Sequence, residues 1–300
     1  LLTPGPTMVP PEVAAAEAQP ILHHRAPDFE PIFVRVQEGL KYVFQTQNPV
    51  VVLASSGTGA MECALTGVTN PGEKVICVEG GKFGERWGEI GKAYGLNAIR
   101  VPVEWGGVIT PAQIKELLEQ NPDAKAVCVT HCETSTGVLT DIKGIAEVVS
   151  KTDALLLVDA VSSLGAEELR TDEWKIDIVV TGSQKALMLP PGLAFLSISP
   201  RAQEKAQKST TASYYFSLKK YLKNLDKKTT PYTPAVSLIL ALDKSLEMIK
   251  KEGIENIWAR HAKLSKAIQA GVQAIGLKIC SQVASHVVTP IWVPEGIDGK

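Results

Sequence analysis

Short apolar runs alternate with stretches of helical period along the first two thirds of the chain. The runs are VVVLA at 50–54, KVICV at 74–78, AIRVPV at 98–103, AVCVT at 126–130, ALLLVD at 154–159, DIVVT at 177–181 and LAFLSI at 193–198. Each is rich in Val, Ile and Leu at successive positions, so each is expected to be buried on both faces. Amphipathic segments such as TPAQIKELLEQN and IKGIAEVVSK lie between them. In the first of these, Thr110 is expected as N-cap, Pro111 at the first helical position, and Gln113 as the residue that completes a capping box. Strands of this kind separated by helices predict an α/β fold, with a mostly parallel central sheet and helices on both faces.

From Thr233 the pattern changes. Two long helical segments are predicted at roughly 234–251 and 254–275, broken at Gly253, and short strand-like runs follow in LKICS and HVVTPIWV. The division expected is an N-terminal arm at 1–20, a large domain at 21–252, and the start of a smaller α+β domain at 253–300. That last unit has no closing helix and reads as incomplete. The sequence also begins without Met, so it reads as starting inside a longer natural chain.

Composition narrows the partners. The chain is 45% hydrophobic and 21% charged with a formal net charge of -1, which supplies no field for nucleic acid or an anionic membrane. No apolar run has the length of a membrane span, and LLTPGPTMVP lacks the basic and apolar regions of a secretory signal. The five cysteines are odd in number, and four lie in or beside apolar runs, which reads as reduced thiols in a cytosol-like compartment. A cytoplasmic location is expected, with organellar targeting left open. The cluster CVTHCE lacks the two further ligands that a structural zinc site requires, so no metal is expected.

In a parallel sheet, ligands bind beyond the carboxyl ends of the strands. The stretch LASSGTGAMECAL reads there as strand, Gly-rich turn and helix, where backbone N–H groups and hydroxyls can reach a phosphate. It matches neither GxxxxGK[ST] nor GxGxxG, and a turn without ligand is an equal reading. Asp159 ends an apolar strand, either as an N-cap for the next turn or as a carboxylate that holds a proton on a ring nitrogen. Lys185, within DIVVTGSQKALMLPPGLAF, either snorkels to the surface or stands where its amine condenses with a carbonyl to a Schiff base. Together, a phosphate cradle, an acid at one strand end and a lysine at another describe pyridoxal phosphate held at both ends and through its aldehyde.

At these residues the sequence resembles the fold-type-I, class V pyridoxal-phosphate aminotransferases, and within them the serine-glyoxylate / alanine-glyoxylate aminotransferase family. LLTPGPTMVP, SSGTGAME, GGKFGERW, THCETSTGV, LLLVDAVSSLG, TGSQKALMLPPGL and TTPYTPAVSL occur in family order. The resemblance implies that Lys185 is the Schiff-base lysine and Asp159 the partner of the pyridine nitrogen. It implies phosphate contacts at Gly57, Thr58 and Gln184, with Ser56 and Ser183 beside them, and a ring-stacking role for Phe83. Ser135 falls where the family contacts the ring hydroxyl, with Thr136 as competitor. Thr230 and Thr233 match positions that reach the phosphate of the other subunit, which implies a homodimer. Gly5 matches a backbone approach to the substrate, with His24 and Arg25 further candidates, and the arginine for the substrate carboxylate is expected past residue 300.

The activity implied is ping-pong transamination, with serine or alanine as donor and glyoxylate or pyruvate as acceptor. Three alternatives stand beside it. A cysteine desulfurase would carry His before the lysine, where this chain has Gln184, and a reactive late cysteine, where it has only Cys280. An accessory subunit of a soluble hydrogenase, a label given to relatives, would need iron-sulfur cysteine clusters that the spacing does not supply. A silent scaffold that keeps the fold is the third.

Overall fold

The computed structural model describes residues 3–299. Its strands are β1 (Val50–Ala54), β2 (Lys74–Glu79), β3 (Asn97–Pro102), β4 (Ala126–Thr130), β5 (Cys132–Glu133), β6 (Val138–Leu139), β7 (Leu155–Asp159), β8 (Ile178–Gly182) and β9 (Leu193–Ile198). Its helices are α1 (Pro11–Glu17), α2 (Phe29–Phe44), α3 (Gly57–Val68), α4 (Glu85–Ala93), α5 (Pro111–Gln120), α6 (Ile142–Val149), α7 (Pro200–Lys208), α8 (Leu218–Leu225), α9 (Val236–Glu252) and α10 (Ile254–Ala274). Seven strands form one sheet in the order β1-β9-β8-β7-β4-β2-β3, and β5 pairs with β6 apart from it. All seven apolar runs of the sequence are strands of this sheet.

Alternate residues of the buried strands feed two separate cores. Leu156 and Val158 of β7 join Phe29, Phe33, Leu40 and Phe195 on one face. Leu155 and Leu157 join Met61, Leu65, Trp87 and Leu196 on the other. In the inner strands the period of two therefore sends successive side chains into one core and then the other, which is why these strands show no polar alternation; β3, at the sheet edge, is the exception to the expected burial, its residues being half-buried or exposed. Truncating one such leucine to alanine costs about 2–5 kcal/mol. On the helix side, Thr110 caps α5 and forms the capping box with Gln113, as the sequence predicts.

One strand runs against the others. β9 pairs antiparallel with both β8 and β1, so β1 points the same way as β8, β7, β4, β2 and β3. The turns that follow β1, β4, β7 and β8 therefore open on the same edge of the sheet. The return from β8 to β9 is the loop 183–192, which carries Lys185.

The C-terminal portion follows the sequence reading in its helices but not in its strands. α9 and α10 meet at Gly253, whose positive φ of 87° suits glycine at the break. LKICS and HVVTPIWV form no strand among the described residues; they meet in the isolated bridge Ile279 to Ile291, and Ala284, between them, bridges to Val138. Pro290 and Pro294 lack the N–H a ladder needs, and Trp292 and Val293 are exposed, so no packed face holds a longer pairing together. Among the described residues no helix is long and apolar enough to cross a membrane.

Candidate active site

The turn after β1 leads directly into α3. Its N-cap, Ser56, makes no side-chain bond to the first turn, so the backbone N–H groups there face outward at the positive end of the helix. A Cβ added to Gly57 would stand 2.6 Å from Val161 Cγ2, and only glycine lets α3 begin this close to the turn after β7. That turn is fixed by Asp159, whose Oδ1 accepts the Val161 N–H at 2.8 Å. The local bond is the turn-forming role that the sequence allows for Asp159. It leaves the second carboxylate oxygen without a hydrogen bond from any described residue.

The lysine loop is braced on both sides. Ser183 donates its hydroxyl to Pro190 O at 2.7 Å and accepts the Leu193 N–H at 3.2 Å, closing the loop on itself. The N-terminal arm lies across it, with Thr7 N–H donating to Gln184 O at 3.0 Å and the Thr7 hydroxyl to Lys185 O at 2.9 Å. Lys185 Nζ donates to Pro4 O at 2.9 Å. A Cβ on Gly5 would come within 2.8 Å of that nitrogen, so glycine is what lets the arm pass so near.

Eight of the twelve residues expected at the site line one cavity of about 250 Å³. From the cradle these are Ser56, Gly57 and Thr58; from the strand ends Asp159, Gln184 and Lys185; and from elsewhere Gly5 and Phe83. Ser183 is outside it, as the loop clamp just described. Ser135 is outside as well, donating its hydroxyl to Glu133 Oε1 at 2.6 Å and accepting the Lys82 N–H at 3.1 Å. At this turn the cavity wall is Thr134, whose hydroxyl is 2.6 Å from that of Ser162. Thr136, the competitor, is fully buried behind it. Thr230 donates to Tyr232 O at 2.7 Å and, like the exposed Thr233, lies outside this chain's cavity. His24 and Arg25 also lie outside it.

Sequence reasoning missed Arg86, Cys132, Thr134, Val161 and Ser162, all of which line the cavity. Arg86 had a signal: it stands three residues after Phe83 in GGKFGERW, one helical turn along. The buried Glu133 is a further missed support. Its carboxylate accepts N–H groups from Phe83 at 3.2 Å and Gly84 at 2.9 Å, and so anchors the turn that presents Phe83.

Burial shapes the charges here. The Asp159 carboxyl is pushed up to about 6 by desolvation, partly offset by the Val161 N–H. The Lys185 amine is pulled below its ordinary value by burial, against the opposing pull of Cys132 and Asp159. An amine poised toward its neutral form and a carboxyl with an open acceptor share one small cavity. Cys280, by contrast, lies outside it, and burial raises its thiol.

A family profile described as aminotransferase class-V matches residues 1–289. The chain belongs to the class-V aminotransferases. It is 43% identical over 306 residues to a protein of Synechococcus sp. named soluble hydrogenase, small subunit, covering 100% of this chain and 79% of that one. It is 39% identical over 308 residues to the L-aspartate–glyoxylate aminotransferase of Paracoccus denitrificans, covering 100% and 78%. Among solved structures, the alanine–glyoxylate aminotransferase of Nostoc sp. matches with a TM-score of 0.95 at 30% identity, over 99% of this chain and 80% of that one. The cofactor of this class-V aminotransferase is pyridoxal phosphate. The residues present fit it: an N-terminus of α3 without a side-chain cap for an anion, a buried carboxylate with a free acceptor for a ring N–H, and a desolvated lysine for an aldehyde.

Proposed function

We propose that this aminotransferase transfers the amino group of a small amino acid, serine or alanine, to glyoxylate or pyruvate. It does so as a cytoplasmic homodimer in which each cofactor site is shared between two chains. The observation that carries the reading is the meeting of Lys185 and Asp159, brought from the ends of two different strands into one cavity beside the mouth of α3.

Bound pyridoxal phosphate supplies an aldehyde and an electron-accepting ring. The chain supplies the rest. Gly57 and Thr58 offer N–H groups to the phosphate, with Gln184 alongside, and Phe83 lies against the ring. Asp159 holds a proton on the ring nitrogen, an ion pair that compensates the cost of burying its carboxylate. Lys185 Nζ takes the proton from the α carbon of the donor, for which its lowered basicity suits it. Gly5 brings backbone rather than side chain to the substrate side. Thr230 and Thr233 lie outside their own chain's cavity, which is what a contact to the partner's phosphate would ask of them. The buried, unpaired Cys63, Cys77, Cys128 and Cys132 suit a reducing cytoplasm.

Purified protein loaded with pyridoxal phosphate is expected to show a visible absorption band that serine or alanine bleaches and glyoxylate restores. Lys185→Ala is expected to show no such band. Bleaching by aspartate but by neither small amino acid would overturn the donor assignment. A monomer in sedimentation of the loaded protein would overturn the shared site.

A further inference from the structure

Arg86 stands in the cavity wall with its guanidinium committed to two neighbours. Its Nη1 donates to Thr58 Oγ1 at 2.9 Å, and its central carbon lies 5.0 Å over the centroid of the Phe83 ring. Among the described residues it forms no ion pair. Arg86 is thus a cation in a half-buried cavity whose charge no carboxylate neutralises at contact distance.

The bond to Thr58 has a directional consequence. A threonine hydroxyl has one proton to give and two lone pairs to receive with. Arg86 fills one lone pair, so the proton must find an acceptor elsewhere, and Thr58 Oγ1 donates to no described residue. An anion at the mouth of the helix would accept this proton together with the backbone N–H groups.

We propose that Arg86 is the positioning residue that makes the cavity discriminate the phosphorylated aldehyde from the unphosphorylated one. It does so by turning the Thr58 hydroxyl toward the phosphate and by adding an unpaired positive charge beside it. This rests on the pyridoxal-phosphate reading of the site. The stacking on Phe83 fixes the guanidinium plane so that one N–H points at Thr58, a task the point charge of lysine performs less well.

The test compares pyridoxal phosphate, pyridoxal and inorganic phosphate as ligands of the apoprotein, followed by tryptophan fluorescence and calorimetry. Arg86→Gln is expected to weaken pyridoxal phosphate about 10–100-fold, the worth of a hydrogen bond to a charged group. Pyridoxal itself should move by no more than about twofold, and competition by inorganic phosphate should be lost. Arg86→Lys should recover part of the phosphate selectivity. Adding Thr58→Val to Arg86→Gln should cost little more than Arg86→Gln alone, because the two act as one device. Equal weakening of pyridoxal and its phosphate would overturn the proposal, as would full additivity of the double variant or an unchanged affinity in Arg86→Gln. A visible band in the wild type with no selective effect in the variants would sink this inference and leave the cofactor reading standing. No band in the wild type would sink both.

Discussion

Asp177 and Asp159 are almost equally buried, at 2% and 3% exposed, and they sit at opposite ends of the same pair of strands. Asp177, ahead of β8, is filled from all sides. Its carboxylate accepts the Leu156 N–H at 3.0 Å and the Ser199 hydroxyl at 2.8 Å, and Arg201 stands 3.7 Å away. Asp159, at the end of β7, accepts among the described residues only the Val161 N–H. Both carboxyls are raised by burial, yet one has been solvated by its own chain and the other left with an acceptor open to a cavity. A carboxylate that only holds the fold is surrounded by donors that belong to the fold. One that works on a ligand keeps room for the ligand's donor.

The contrast can be broken at its reactive end first. Lys185→Ala should lower transamination by at least about 100-fold while leaving the unfolding midpoint within a degree or two, measured by turnover and thermal melting. A variant that keeps a tenth of the activity would mean that some other amine moves the proton. Asp159→Asn should cost about 100-fold in turnover but hold or raise the stability of the apoprotein, because a buried charge without a partner has gone. At the other end, Asp177→Ala should destabilise by about 2–3 kcal/mol in urea unfolding, since it orphans the Leu156 N–H and the Ser199 hydroxyl, with turnover within about twofold. If Asp177→Ala instead damaged turnover more than stability, the division between the two ends would be wrong.

A finer version uses pH. Asp159 is raised to about 6, so its contribution to apoprotein stability is complete below about 4 and lost as pH rises through 6. His131 is buried with Nδ1 2.9 Å from the Ser163 hydroxyl and is pushed down to about 4 by desolvation. Its contribution is complete above about 6.5 and lost as pH falls through 4. The two oppose each other between pH 4 and 6. Asp159→Asn removes the first alone, so its stability should rise with pH more steeply than the wild type's in that window, by up to about 1.4 kcal/mol per pH unit. Parallel curves for the two proteins would show that Asp159 is not the group titrating there.

Much of the fold was legible because the buried strands carry no polar alternation to confuse with helix. VVVLA, ALLLVD and LAFLSI can hardly be anything but interior. Asp159 and Lys185 were legible for the same reason, as ionisable residues at the end of one such run and just past the end of another. What the sequence concealed depends on direction rather than composition. Thr134, Ser135 and Thr136 are three consecutive hydroxyls, and which one meets the cavity is decided by Glu133 gathering N–H groups from a turn some 50 residues earlier. Arg86 had no assigned role in the sequence; its place follows from the approach of Thr58 and Phe83 to its guanidinium. LKICS and HVVTPIWV had strand composition but lacked the neighbours that turn a bridge into a ladder.

The crossing of the N-terminal arm over the lysine loop makes the amide of Thr7 an observation post. That N–H is held by the carbonyl of Gln184, the residue next to the reactive amine. Its hydrogen-exchange rate, or its NMR shift in a labelled sample, should therefore register how firmly the loop is seated without any probe being placed in the cavity. A bond in the backbone of the arm would report the readiness of a side chain across from it.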